Sequence, residues 1–251
     1  MSAGILAGLS LASCDLTTES QSTFDETSVF SDPTLTEYQI YSIYEVFGHT
    51  NSHRGRYLPW YGYNTDIEWY ISNTDDEKAD IVKYNMLSTN SQLNVADGPY
   101  NELFAGIERA NLTISGVRQY GSPDSRPEMA ERLGEALVLR AVLYTELLKA
   151  YGEVPARFAP VDAETIYMNK ADRDVIFKQL LTDLEESFGY LSYDSATSTD
   201  RVGLALAKGL YARLALMASG YAQRPEPGTS GTGNAGSIRL SEDPDLQKSV
   251  L

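Results

Sequence analysis

The sequence predicts an all-α protein, built from irregular tetratricopeptide-like helical hairpins with a long aromatic-rich loop region. Apolar residues recur at helical spacing in five segments, and glycine and proline separate these segments from one another. The last three segments follow one another closely, as antiparallel hairpins do, although their spacing exceeds that of a strict repeat. No segment shows the sustained alternation of apolar and polar residues that is typical of a strand.

The first two helices are predicted between residues 32 and 119. Asp32 and Pro33 give a helix start, with proline in the first turn, and apolar residues continue at helical spacing to about residue 47. Gly48 ends this helix. The second helix covers about residues 98–119 and has an apolar stripe along its length.

Three more helices are predicted over residues 127–151, 172–191 and about 201–222. The third helix is apolar on two sides, which indicates that it packs between two neighbours, and Gly152 is its predicted C-cap. Asp172 is the predicted N-cap of the fourth helix. The fifth is rich in alanine, whose small side chain lets neighbouring helices approach closely. We expect residues 32–224 to form one helical domain, followed at 225–251 by a loop that leads into a missing C-terminal half.

The composition excludes several classes of protein. Lys and Arg number 20 against 35 Asp and Glu among 251 residues, so the formal net charge is −15. Nucleic-acid binding requires clustered basic residues, which this balance does not favour. A hydrophobic share of 42% is typical of a folded domain and argues against an acidic disordered tail.

The start of the chain carries a predicted export signal. Residues 4–13 are apolar or small and uncharged, too short a run to span a bilayer, so residues 1–13 are interpreted as a signal peptide. Cys14 follows directly, at the end of a lipobox-like Leu-Ala-Ser-Cys sequence, and is the predicted lipidation site. The alternative is a buried free cysteine beside an ordinary cleavage site. Residues 14–31 are polar and are predicted to form a tether.

Residues 1–5 contain no Lys or Arg, although a signal peptide normally begins with basic residues. We therefore expect the true start to lie upstream of Met1, or the reading frame to be clipped.

The loop region over residues 48–96 contains both tryptophans and both histidines of the chain. A sugar ring has an apolar face that stacks on aromatic rings and a rim of hydroxyls that bind amide, carboxylate and guanidinium groups. One segment offers both kinds of group, and its candidate ligand-binding residues are Arg56, Trp60, Tyr63, Asp66, Trp69, Tyr70 and Asn73. The alternative is that these aromatic side chains pack the loop onto the helices.

Motifs in the second and third helices add a family resemblance. The third helix contains Gly-Glu-Ala-Leu-Val-Leu-Arg-Ala at residues 134–141 and closes on Tyr-Gly-Glu-Val-Pro at 151–155. The second contains Phe-x-x-Ile-x-x-Ala-Asn at 104–111. The chain resembles the SusD/RagB family of outer-membrane nutrient-binding lipoproteins over nearly its whole length. Two departures are that Tyr100 stands where the family commonly has tryptophan, and that family members are usually much longer.

The resemblance implies a glycan-binding lipoprotein on the extracellular face of the outer membrane. Its implied partner is a SusC-like TonB-dependent transporter, to which it delivers oligosaccharide or polysaccharide, or in some relatives peptide. The helical hairpins face the transporter in this family, and no chemistry is performed on the ligand. No cofactor, metal or nucleic acid is implied.

Two other functions are compatible with parts of the sequence. A glycoside hydrolase could use Asp66 and Glu68, but two acids two residues apart in a loop are no evidence for carboxyl groups that flank a bond. A helical-repeat adaptor without a small-molecule ligand would need only the hairpins. Glu135 and Arg140 of the third helix are interpreted as groups that orient helices.

Overall fold

A computed structural model describes residues 24–51, 53–57, 65–68, 77–193, 200–229, 232 and 236–250. These residues are mostly helical, which confirms the all-α prediction. The helices are α1 (Glu26–Ser31), α2 (Pro33–Glu45), α3 (Glu77–Val82), α4 (Pro99–Gly116), α5 (Pro127–Tyr151), α6 (Arg173–Ser187), α7 (Leu204–Ser219) and α8 (Pro244–Lys248). The strands are β1 (Ala222–Arg224) and β2 (Ser237–Arg239).

The long helices stack in chain order. Helix α4 packs against α5, α5 against α6, and α6 against α7, while α2 contacts both α4 and α5. This arrangement agrees with the predicted antiparallel hairpins. The core runs through the stack, because each of the four long helices contributes a fully buried leucine: Leu103, Leu137, Leu180 and Leu214.

Helix α5 has the predicted bounds and lies at the centre of the stack. Apolar residues are buried on two sides of it, as expected for a helix with neighbours on both. Gly152 ends the helix at a φ of 70°, in the left-handed region that glycine adopts most easily, and its N–H donates to Leu148 O at 3.2 Å. The predicted C-cap is therefore confirmed.

Asp172 is the N-cap residue of α6, as predicted, and its backbone C=O accepts from Val175 N at 3.1 Å. Its side chain, however, accepts no capping hydrogen bond within the described part of the chain. Its Oδ1 is buried and has no hydrogen-bond partner among the described residues.

The predicted tether over residues 14–31 is wrong for its last six residues, which form α1. Asp25 caps this helix, since its Oδ1 accepts from Ser28 N at 2.7 Å. Phe30 is buried and packs directly over Gly116 of α4. The burial of Phe30 therefore holds the six-residue helix α1 against α4. The polar composition of residues 14–31 does not indicate this helix.

The predicted loop at 225–251 and the expected absence of strands are also wrong in part. Strands β1 and β2 pair antiparallel, and α8 buries Leu246 in the core. Arg224 is 3% exposed, and its Nε lies 2.9 Å from Asp174 Oδ1 at the start of α6. Ser241 donates to the same carboxylate at 2.7 Å. This hairpin is therefore part of the helical domain.

Candidate functional site

The predicted ligand-binding segment is described only in part. Arg56 and Asp66 lie within the described residues. The other candidates lie outside them: Trp60, Tyr63, Trp69, Tyr70 and Asn73. The predicted lipidation site, Cys14, also lies outside the described residues, so these six assignments stay predictions.

Arg56 belongs to a π-helical turn, His53–Tyr57, that is fixed to the protein at two places. The Arg56 Nη1 donates to Ser91 O at 2.7 Å. The His53 ring packs edge-on against Phe47 just after α2, with centroids 5.1 Å apart, and burial lowers the pKa of this histidine. Arg56 therefore has a structural contact, and its contact with a ligand stays a prediction.

Asp66 lies in an exposed bend over residues 65–67. The Glu68 N–H donates to Thr65 Oγ1 at 2.9 Å, which is the local contact that shapes the bend. Asp66 and Glu68 are both exposed to solvent. Their carboxylates are thus accessible to a ligand.

Glu77, which follows the predicted segment in the chain, contacts the same loop as Arg56 does. Glu77 begins α3, and the buried Asn90 donates from Nδ2 to Glu77 O at 2.8 Å. The Glu77 carboxylate also accepts from the Ser91 hydroxyl. Arg56 and Glu77 therefore contact adjacent residues, Ser91 and Asn90, of the same loop.

A cleft of about 320 Å³ lies beside this loop. Met86, Asn90 and Asn94 of the loop around residues 86–95 contribute to its lining. Tyr100 and Tyr151 line it as well, with ring centroids 5.0 Å apart and an interplanar angle of 83°. The lining thus combines two packed rings with polar side chains.

A second cleft of about 380 Å³ lies on the other side of Tyr100. Phe104, whose ring centroid is 5.0 Å from that of Tyr100, contributes to its lining, as do Glu108 and Arg157. Glu108 Oε1 accepts from Val161 N at 2.9 Å, whereas Oε2 is buried with no hydrogen-bond partner in the described part of the chain. Glu108 therefore has a lone acceptor that a ligand hydroxyl or a water molecule could satisfy.

Tyr100 and Asn101 border both clefts and separate them. Burial raises the pKa of Tyr100, so its phenol stays neutral at physiological pH. Asn101 is held in place, since its Nδ2 donates to Ala96 O at 2.9 Å. A sugar chain longer than one residue could contact both clefts across this ridge.

The sequence alone did not indicate that Tyr100 and Asn101 border two clefts. Tyr100 matches the apolar stripe of a helix equally well, and nothing in the order of residues 86–95 places them beside Tyr100 and Tyr151. The one available signal is the proximity of Tyr100 to the aromatic-rich loop region at 48–96.

Neither a metal-binding cluster nor a membrane-spanning helix is found among the described residues. Among them, no group of three or more His, Cys, Asp or Glu side chains is placed to hold a metal ion. Every helix in this part of the chain is too short or too polar to cross a membrane.

Comparison with known families identifies the class of protein. The model of a SusD-like family, described as starch-binding and associating with the outer membrane, matches residues 18–216. The chain belongs to this SusD-like family. A search of curated proteins finds no match.

Solved structures share the fold at low sequence identity. A SusD superfamily protein from Bacteroides thetaiotaomicron has a TM-score of 0.63 and 20% identity, over 73% of this chain and 42% of that one. A SusD homologue from the same species has a TM-score of 0.67 and 17% identity, over 78% and 38% of the two chains. A laminarin-binding SusD-like protein has a TM-score of 0.58 and 19% identity, over 73% and 40%. The chain thus spans less than half the length of these relatives.

Proposed function

We propose that this chain is a lipid-anchored glycan-binding protein of the cell surface. In this role it captures oligosaccharide or polysaccharide and hands it to a SusC-like TonB-dependent transporter in the outer membrane. The match to a starch-binding, outer-membrane-associated family over residues 18–216 supports this function. A laminarin-binding protein with the same fold supports a glycan as the ligand.

The single observation that favours a ligand site here is the convergence of two contacts. Arg56, the first residue of the candidate segment, contacts Ser91, and Glu77, four residues after Asn73, contacts Asn90, which lines one cleft with Tyr100 and Tyr151. The segment carries both tryptophans of the chain, Trp60 and Trp69. Aromatic rings from the segment and from the cleft can stack on sugar faces, while Asp66, Asn73 and Glu108 bind hydroxyls.

Binding without catalysis is favoured over glycoside hydrolysis. Hydrolysis requires two carboxyl groups on opposite sides of the scissile bond, and one of them must have a raised pKa. Asp66 and Glu68, the pair that the sequence offered, are exposed two residues apart in one bend. Such carboxylates suit hydrogen bonding to hydroxyls.

Lipid attachment at Cys14 and partnership with the transporter complete the proposed function. The uncharged run before Cys14 supports lipid attachment, which would hold the protein on the membrane. The stacked helices offer the transporter a rigid surface. The same helices would also serve an adaptor lipoprotein with no small-molecule ligand, which is the second candidate function.

Affinity electrophoresis separates these candidates. We expect the full chain to migrate more slowly in gels that contain at least one polysaccharide of a panel, and the polysaccharide to remain uncleaved. Trp69→Ala should restore faster migration, whereas Tyr167→Ala, on an exposed loop side chain, serves as the control. Unchanged migration in every gel would favour the adaptor, and release of reducing sugar would favour the hydrolase.

A further inference from the structure

A separate cleft lies on the other side of α2, between that helix and the residues that precede α7. Its volume is about 860 Å³, and Tyr41, Glu45 and His49 line one side while Asp200 and Arg201 line the other. It shares no lining residue with the two clefts that Tyr100 borders. Neither the family motifs nor the aromatic segment at 56–73 accounts for it.

Tyr41 of α2 lines this cleft, and Tyr38 lies one turn before it on the same helix, outside the lining. Tyr38 is 59% exposed and Tyr41 is 47% exposed, and their ring centroids are 6.4 Å apart. They face solvent because Ile40 and Ile43, on the opposite side of α2, are fully buried in the core. The planes of the two rings are tilted by 48°, so each ring offers its own face to a sugar ring.

The groups behind these rings are held rigidly. Arg201 lies over the Tyr41 ring, with its guanidinium carbon 5.3 Å from the ring centroid. The same guanidinium binds Glu135 at two points, with Nη2–Oε2 and Nε–Oε1 distances of 2.5 and 3.1 Å. Tyr44 donates to Glu135 Oε1 at 2.6 Å, and Arg201 also contacts the Glu37 carboxylate. A ligand would therefore meet a preformed surface.

The guanidinium and the imidazole at this cleft already have carboxylate partners within the described residues. Arg201 binds Glu135 and Glu37. His49 lies between two carboxylates, with Nε2 2.8 Å from Glu45 and Nδ1 3.2 Å from Glu102. An incoming carboxylate or sulfate would have to compete with these partners, and it would also approach a chain of net charge −15.

We propose that this cleft is a second saccharide site, which takes an uncharged sugar and disfavours sugars that carry carboxylate or sulfate. Tyr41 stacks against the sugar ring, and Tyr38 extends the aromatic surface beyond the cleft. The Glu45 carboxylate, whose oxygens bind His49 and Arg109, accepts further hydrogen bonds from the hydroxyls through its remaining lone pairs. This site rests on the glycan-binding function proposed above, to which it adds a location and a class of sugar.

The test uses the full chain and two kinds of polysaccharide. Affinity electrophoresis compares neutral glucans, laminarin among them, with polygalacturonate and chondroitin sulfate. We expect a neutral glucan to retard the protein and the two anionic polymers to leave it unretarded. Tyr41→Ala should weaken binding of the neutral glucan about threefold to tenfold, while the control Tyr167→Ala leaves it unchanged.

Tyr38→Ala provides a second variant that leaves the Arg201 contacts in place, in case Tyr41→Ala lowers the melting temperature. If the glucan retards both tyrosine variants as strongly as the control, the second site is wrong and the glycan-binding function stands. Retardation by an anionic polymer that Tyr41→Ala abolishes overturns the proposed sugar class. If no polysaccharide retards the unmodified chain, the glycan-binding function fails, and this site fails with it.

Discussion

Arg140 of α5 and Asp183 of α6 form a buried ion pair, with Nη2 and Oδ2 2.8 Å apart and side chains 2% and 1% exposed. Arg140 Nη1 also donates to Asn111 Oδ1 of α4 at 2.8 Å and to Phe158 O at 3.1 Å. Gln179 donates to the second Asp183 oxygen at 2.8 Å. One guanidinium therefore joins three stacked helices and the segment after α5.

We predict that Arg140→Met destabilises the fold by about 3–5 kcal/mol, because it leaves the Asp183 carboxylate buried without its cation. Urea unfolding of the variant measures this loss. The matched control is Arg118→Met, which removes an exposed ion pair with Glu186 and should cost less than about 1 kcal/mol. Similar losses of stability in the two variants would contradict a larger contribution from the buried pair.

We predict opposite effects for alanine at two helical glycines, Gly116 in α4 and Gly209 in α7. A Cβ on Gly116 would collide with the Phe30 ring, so Gly116→Ala should displace α1 and destabilise by about 1–3 kcal/mol. Gly209 lies in α7 with no atom near the position of a Cβ, so Gly209→Ala should stabilise by about 0.5–1 kcal/mol. Thermal unfolding of both variants checks the pair, and a harmless Gly116→Ala would contradict the docking of α1.

The surroundings of Glu153, just after α5, predict that the stability of the protein depends on pH. Glu153 is 9% exposed, its Oε1 has no hydrogen-bond partner among the described residues, and its Oε2 lies 3.5 Å from Lys170. Burial raises the pKa of Glu153 above its ordinary value, Lys170 opposes the shift, and the neighbouring Asp172 carboxylate adds to it. A carboxyl group with a raised folded-state pKa favours the fold at low pH, and this contribution is lost as the pH rises through that pKa.

Glu153→Gln removes this ionisation, so it should stabilise the protein by about 1 kcal/mol at pH 7 and have little effect near pH 4. Denaturant unfolding at both pH values measures the difference. Glu164→Gln, at an exposed position, is the control and should show neither effect. A destabilised Glu153→Gln variant at pH 7 would mean that the contact with Lys170 outweighs burial.

Membrane attachment gives a prediction that is independent of the fold. Cys14→Ala removes the thiol that would carry the lipid, so the protein should move from the membrane fraction to the soluble fraction. Fractionation of cells that export the protein measures this shift, with Ser13→Ala as the control that keeps the thiol. A variant that stays in the membrane fraction would disprove lipid attachment at Cys14.

The long helices could be predicted from the sequence because their apolar periodicity extends over many turns. Helix α5 begins at Pro127 and ends before Gly152, where the sequence predicted both ends. Elements of three to six residues could not be predicted, since they contain fewer than two periods and so few residues do not establish a pattern. Helix α1 depends on Phe30 meeting Gly116, and β1 is held by Arg224 reaching Asp174, both of which are contacts between distant parts of the chain.

Only the residue types of the candidate site could be predicted from the sequence, and its position on the fold could not. The aromatic and polar residues at 56–73 indicated a sugar-binding segment, but not which surface the segment adjoins. The contacts of Arg56 with Ser91 and of Glu77 with Asn90 link residues too far apart for local patterns to connect. The pairing of Tyr100 with Tyr151 likewise depends on how α4 packs against α5.

Isothermal titration calorimetry tests the central claim of glycan binding most directly. The unmodified chain is titrated with an oligosaccharide from whichever polysaccharide retards it, and Trp69→Ala, Tyr100→Ala and the control Tyr167→Ala are titrated alongside. We expect saturable binding to the unmodified chain and the control, weakened at least about threefold by Trp69→Ala and by Tyr100→Ala. Absence of binding heat with every oligosaccharide would contradict the glycan-binding function.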